Sequence, residues 1–258
     1  MRSRLLLALI IGTSLQVPLL AASQEPDTVC PAPMVGQYLI VSEGQRVDQP
    51  LGRLQLERWS ADGSVSGVRF LRVGRTYSET RYDGRWNRLD GCSVSVIRDQ
   101  HTSPSHVLLS DQGLPRFGLS TRPGDVVAER WVPQPVGPCR PEAMNGVVMS
   151  LQEGRTLTSN RWVPNAVIQK ETWADWTMAG LAVSSYNGAN EVATYQGEFV
   201  QKDNCIGRIR QQDARGVSYV YAAILRSDGG GYAYLQTQGD DLTVALLERS
   251  PLHPSRLD

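Results

Sequence analysis

The chain has 258 residues, 26 basic and 26 acidic, and 41% of its residues are hydrophobic. Balanced charge excludes a binder of nucleic acid or another polyanion, which needs a basic surplus to answer the phosphates. The apolar fraction suits packed cores rather than a disordered chain.

In chain order, the opening MRSRLLLALIIGTSLQVPLLAAS joins Arg2 and Arg4 to an apolar run ending at Ala21, Ala22 and Ser23. That is the pattern of a secretory signal peptide, residues 1–23, cut near Ser23. Gly12, Thr13, Ser14, Gln16 and Pro18 interrupt the run, which favours a cleaved leader over a permanent anchor, and no later segment is apolar enough to span a bilayer. The first cysteine, Cys30, stands too far beyond the small residues for lipid attachment. No Asn-x-Ser/Thr acceptor occurs, which favours a bacterial periplasmic or secreted protein.

From Cys30 the chain reads itself twice. CPAPMVGQYLIVSEG is answered by CRPEAMNGVVMSLQEG from Cys139, and YDGRWNRLDGC ending at Cys92 by YQGEFVQKDNC ending at Cys205. The stretch from Ser110 to Glu129-Arg130 parallels that from Ser227 to Glu248-Arg249. The growing offset is what duplicated domains show when loops change length and strands do not. Each copy has one cysteine at its start and one after the shared phrase, so duplication favours Cys30 with Cys92 and Cys139 with Cys205 among three possible connectivities.

Within the first copy, segments 36–42, 52–59, 64–73, 78–87 and 92–98 alternate apolar and polar residues, with shorter runs near 105–110, 115–120 and 125–132. Turn pairs such as Asp62-Gly63 and Asp90-Gly91 separate them, and the second copy follows the same rhythm. About eight short strands per copy predict an all-β protein of two tandem antiparallel up-and-down β-barrels, because closure removes unpaired edges. Two-sheet sandwiches are the alternative. The expected organisation is a first barrel at 30–131, a stiff proline-rich linker at 132–138, a second barrel at 139–250 and a tail at 251–258.

Size, strand rhythm and Gly84-Arg85-Trp86 resemble the calycin type of exported barrel, the lipocalins and avidins. The resemblance implies architecture over both copies. Its Gly-x-Trp is central here rather than in the first strand, and the second copy has Gly197-Glu198-Phe199, so no family ligand follows from it.

Catalytic signals are sparse. Three histidines occur, His101, His106 and His253. Asp99, His101, Ser103, Ser105 and His106 crowd around Pro104, but two histidines in one polar turn lack the convergence of a triad, so His101 and His106 are weak metal candidates and a polar hairpin is the expected role. Asp83 and Asp90 read as turn residues, and SDGGGY at 227–232 lacks the lysine and helix of a phosphate loop. Tyr82, Gly84, Tyr195 and Gly197 recur between copies; glycine in a strand marks a barrel corner or bulge, and the tyrosine two residues earlier shares its face.

Trp162, Trp173 and Trp176 crowd the second copy and are the candidate ligand-binding residues, set against ordinary packing. The expectation is an exported, non-catalytic binding or interaction protein of the bacterial envelope, periplasmic or secreted. It needs no cofactor and carries a small apolar or aromatic ligand in a barrel. The alternatives are a scaffold holding an envelope protein through the interdomain surface, and an isomerase or hydrolase with a site in one repeat only.

Overall fold

The computed structural model describes residues 30–99 and 103–249. The expected leader, the expected tail and His101 lie outside the described residues. The first copy forms β1 (Gly36–Arg46), β2 (Gln49–Trp59), β3 (Ser64–Val73), β4 (Thr76–Leu89), β5 (Ser93–Arg98), β6 (Ser105–Leu109), β7 (Pro115–Ser120) and β8 (Asp125–Gln134). After one helical turn, α1 (Pro141–Met144), the second forms β9 (Gly146–Thr158), β10 (Arg161–Ala174), β11 (Thr177–Tyr186), β12 (Ala189–Asp203), β13 (Ile206–Asp213), β14 (Ser218–Leu225), β15 (Gly231–Gln236) and β16 (Asp241–Arg249). Each set is a closed antiparallel barrel with neighbouring strands consecutive, sealed by β1 with β8 and by β9 with β16. Closure rules out the sandwich. β8 runs on to Gln134, into the stretch expected as linker, because Tyr38 pairs with Pro133 and Gln37 with Gln134.

The disulfides are Cys30–Cys92 and Cys139–Cys205, one per barrel. Each ties the segment entering the barrel to the turn between its fourth and fifth strands. That end of each barrel is plugged by rings. In the first, Trp59 packs on Tyr38 and Trp131 with centroids 5.6 and 5.3 Å apart and stacks on Trp86. In the second, Trp173 lies edge-on to Tyr232 at 5.1 Å, with Met144 of α1 buried in the same cluster.

Tyr82 and Tyr195 do cover glycines, but on the neighbouring strand. Gly67 is registered opposite Tyr82 and Gly180 opposite Tyr195, and a Cβ at either glycine would strike the ring at 2.7 or 2.3 Å. Gly84 and Gly197 mark close approach instead, since a Cβ there would meet the Ile97 or Arg210 carbonyl.

The barrels dock asymmetrically. Leu39, Leu54, Val68 and Phe70 on the outer face of β1–β3 pack on Ile206, Ala222, Ile224, Ala233, Leu235, Val244 and Leu246 on the outer face of β13–β16. β14, β15 and β16 are therefore buried on both faces. Arg72, wholly buried, reaches across this joint from β3. Its guanidinium donates to the carbonyls of Gln236, Gln238, Gly239 and Asp241, with 2.6 Å to Asp241.

Registers also correct one equivalence. Gly44 pairs with Val127 and Gly154 with Thr243, which aligns Glu129 with Ala245 rather than with Glu248. Glu129 is buried inside the first barrel, whereas Glu248 is exposed on the outside of the second, paired with Arg130.

Candidate functional site: the barrel interiors

Both barrels have polar interiors, because on β2 and β10 the polar residues share the inward parity. The inward run Gln55, Glu57, Trp59 is repeated as Gln169, Glu171, Trp173. In the first barrel Glu57 accepts from the Trp59 indole (2.7 Å), the Tyr82 hydroxyl (2.6 Å) and the Arg98 guanidinium. A second carboxylate, Glu129, accepts from Ser105 at 2.8 Å and pairs with Arg53 at 2.5 Å and with Arg98 at 3.5 Å. Two buried cations thus meet two buried anions, the arrangement burial requires. Burial opposes charge on Glu129, but Arg98 and Arg53 outweigh it and hold the carboxyl below its usual range. Burial likewise opposes charge on Arg98, and Glu57 and Glu129 reverse that.

Above this network the first barrel opens into a cup of about 270 Å³ at the end remote from the disulfide. Its charges are mostly answered: Arg46 by Asp125 in a two-pronged contact at 2.7 and 3.0 Å, and Arg69 by Asp99 at 2.9 Å.

The second barrel keeps the carboxylate and drops its cations. Register places Gln211 where the first barrel has Arg98, Val167 where it has Arg53 and Ala245 where it has Glu129. Glu171, wholly buried, is held by five neutral donors: Tyr232 (2.7 Å), Trp173 (2.8 Å), Tyr195 (2.9 Å), Gln211 (3.1 Å) and Gln169 (3.4 Å). No cation pairs with it among the described residues. Burial raises its carboxyl above the usual range, against the opposing pull of these hydrogen bonds.

Over Glu171 lies a cavity of about 80 Å³ walled by Tyr186, Tyr195, Tyr219, Tyr221 and Tyr234. Asn165, 4% exposed, lines it with its side-chain oxygen unpartnered. The rim carries Asp241, Asp213 and Glu191 against one cation, Arg215, which bridges Asp213 (2.7 Å) and Glu191 (2.5 Å). With its cup, the first barrel sets Arg46, Arg53, Arg69, Arg98 and Arg122 against Glu57, Glu129, Asp99 and Asp125, while the second sets Arg215 alone against Glu171, Glu191, Asp213 and Asp241.

The three candidate tryptophans do not converge. Trp173 is buried in the closed end, its indole on Glu171. Trp176 sits in the β10–β11 turn at φ 67° and packs on Phe199, so strand parity does not apply to it. Trp162 donates to Gln49 of the first barrel at 3.2 Å and lines a groove of about 1090 Å³ between the barrels, with Glu43, Pro50 and Val244. None of the three lines the second barrel's cavity. His106 is exposed on the outward parity of β6, and no grouping of metal-ligating side chains occurs among the described residues. Glu57, Glu171, Arg53, Arg98 and Glu129 were not singled out from sequence. The repeated Gln-x-Glu-x-Trp was the available signal, a period-two polar stripe on an inward face.

No family model matches the chain, and no curated protein matches it. Among solved structures it is similar to kievitone hydratase from Nectria haematococca, at 7% identity over 85% of this chain and 91% of that one, with a TM-score of 0.32. It is also similar to a porin-like protein from Bacteroides uniformis, at 8% identity over 85% and 98% with a TM-score of 0.24. A third is MucB in complex with MucA, at 14% identity over 84% and 88% with a TM-score of 0.20. Likenesses of this degree carry no inference about activity.

Proposed function

We propose that the protein is an exported, non-catalytic binding protein whose second barrel holds a small organic cation, an ammonium head group, in the tyrosine-walled cavity above Glu171. The observation that carries this is a cavity walled by five tyrosines whose lining residues Gln169, Tyr195 and Gln211 donate to the buried carboxylate of Glu171, which has no cation partner among the described residues, where the sister barrel supplies Arg98. Tyrosine faces and carboxylates together stabilise a desolvated cation, the chemistry of aromatic cages. Size narrows the ligand: about 80 Å³ is well below the roughly 300 Å³ at which drug-sized sites begin, so a head group fits and a large apolar molecule does not. Two disulfides support the exported reading.

The test is calorimetric titration of the mature, oxidised protein with choline and with its uncharged carbon isostere, 3,3-dimethylbutan-1-ol. Choline is expected to bind once per chain and about tenfold or more tightly than the isostere, and Tyr221→Leu to abolish the preference. Equal binding of both, or of neither, refutes the cation site.

A further inference from the structure

The joint between the barrels uses the front of the first (β1–β3) and the back of the second (β13–β16), so the duplication leaves one front and one back without a partner. Registers identify their residues. On the second barrel, Met149, Leu151, Ile168, Leu181 and Val183 occupy the positions that Leu39, Val41, Leu54, Val68 and Phe70 hold on the first. All five are apolar, and they are 50, 76, 52, 43 and 38% exposed. On the first barrel, Leu108, Phe117, Leu119 and Val126 occupy the positions of Ile224, Ala233, Leu235 and Leu242, and are 57, 59, 61 and 69% exposed. Scattered apolar residues on a surface need no explanation. Here they repeat the apolar centre of a joint the chain already makes, with Ser93, His106, Ala128 and Arg130 standing for Ile206, Ala222, Val244 and Leu246, and Lys170 for Leu56, around it, so the natural occupant of each face is the complementary face of another copy.

We infer that the protein associates head to tail with itself, the β9–β11 face of one molecule docking on the β6–β8 face of the next in a repeat of the internal joint. Such contact is heterologous: it satisfies one face on each partner and leaves another free, so growth is open-ended unless the rotation closes a ring. The new joint is weaker than the internal one. Ser185 stands at the position of Arg72 and Gly188 at that of Arg75, so the clamp on the hairpin carbonyls and the Arg75–Asp240 pair have no counterpart. Association is therefore concentration-dependent, in the micromolar range or above. This inference is independent of the cation cavity, whose residues all lie inside the barrel.

Sedimentation velocity of the mature protein from about 1 to 200 µM spans that range. The weight-average mass is expected to climb past the dimer. Leu151→Glu and Leu119→Glu, both on exposed positions, each disable one face, and each alone is expected to be monomeric with unchanged thermal unfolding. Mixed one to one, they retain a single compatible pair of faces and are expected to give a dimer and nothing larger. A wild-type chain that stays monomeric throughout, a species stopping at a symmetric dimer, or a mixture that fails to pair overturns the inference.

Discussion

Replacing Arg98 by glutamine imposes on the first barrel the residue that the second carries at the same position. In the second barrel glutamine suffices because Tyr232 adds a hydroxyl at 2.7 Å and Ala245 removes the second carboxylate. In the first, Arg98 donates to Glu57 and Ser105 and approaches Glu129, and both carboxylates are fully buried. Breaking a buried pair by removing one partner costs about 3–5 kcal/mol, and the amide donor that glutamine keeps returns about 1 kcal/mol of that, leaving about 3 kcal/mol. For a cooperative unit of this size the melting midpoint falls by roughly 6–12 °C. The assay is thermal and urea unfolding followed by near-UV circular dichroism of the tryptophan plug. Glu129 sets the pH arm. Its carboxyl is depressed in the fold, so its stabilisation is present above the unfolded value of about 4.3 and is lost as pH falls through the folded value. The gap between wild type and Arg98→Gln is therefore full at pH 7 and narrows below about pH 4. Glu57→Gln in the same chain should recover most of the loss. A cost under about 1 kcal/mol, or a gap unchanged from pH 7 to pH 3, refutes the account of the network as mutually dependent.

Glu171 behaves in the opposite sense. Its carboxyl is raised, so its contribution is full below the unfolded value and is lost as pH rises through the folded one; Glu171→Gln should flatten the decline in stability above about pH 4.5, read by urea titrations at several pH values. Arg72→Met leaves buried hairpin carbonyls without donors at about 1–3 kcal/mol for each one orphaned, and hydrogen exchange at residues 236–241 should quicken. Replacing Cys139 and Cys205 by serine reopens a loop with a sequence separation of 66, and should cost about 3–4 kcal/mol in denaturant unfolding.

The architecture was legible because duplication repeated its punctuation: paired cysteines, matching turns and strands of alternating character. Alternation gives strands but not which face is the core. In β2 the outward residues Leu54 and Leu56 are the apolar ones and the inward Arg53, Gln55 and Glu57 are polar, an inversion imposed by the second barrel covering the outside. The same cause makes β14–β16 apolar at both parities. The cavity was hidden for a related reason: tyrosines from four strands meet over Glu171, and closeness across a closed barrel leaves no local spacing. The tryptophans drew attention by crowding in sequence, and the β10–β11 turn sends Trp173 and Trp176 to different surroundings.

Strands buried on both sides also bear on how the molecule is assembled. Until the first barrel covers it, the outer surface of β14–β16 is an apolar sheet, the kind of surface that captures other unfinished chains. Synthesis runs from the amino end, so the covering barrel is made before the strands it must shield. Exchanging the order of the two copies would keep every residue and reverse that sequence of events, sending the vulnerable surface out first with its guardian still to come.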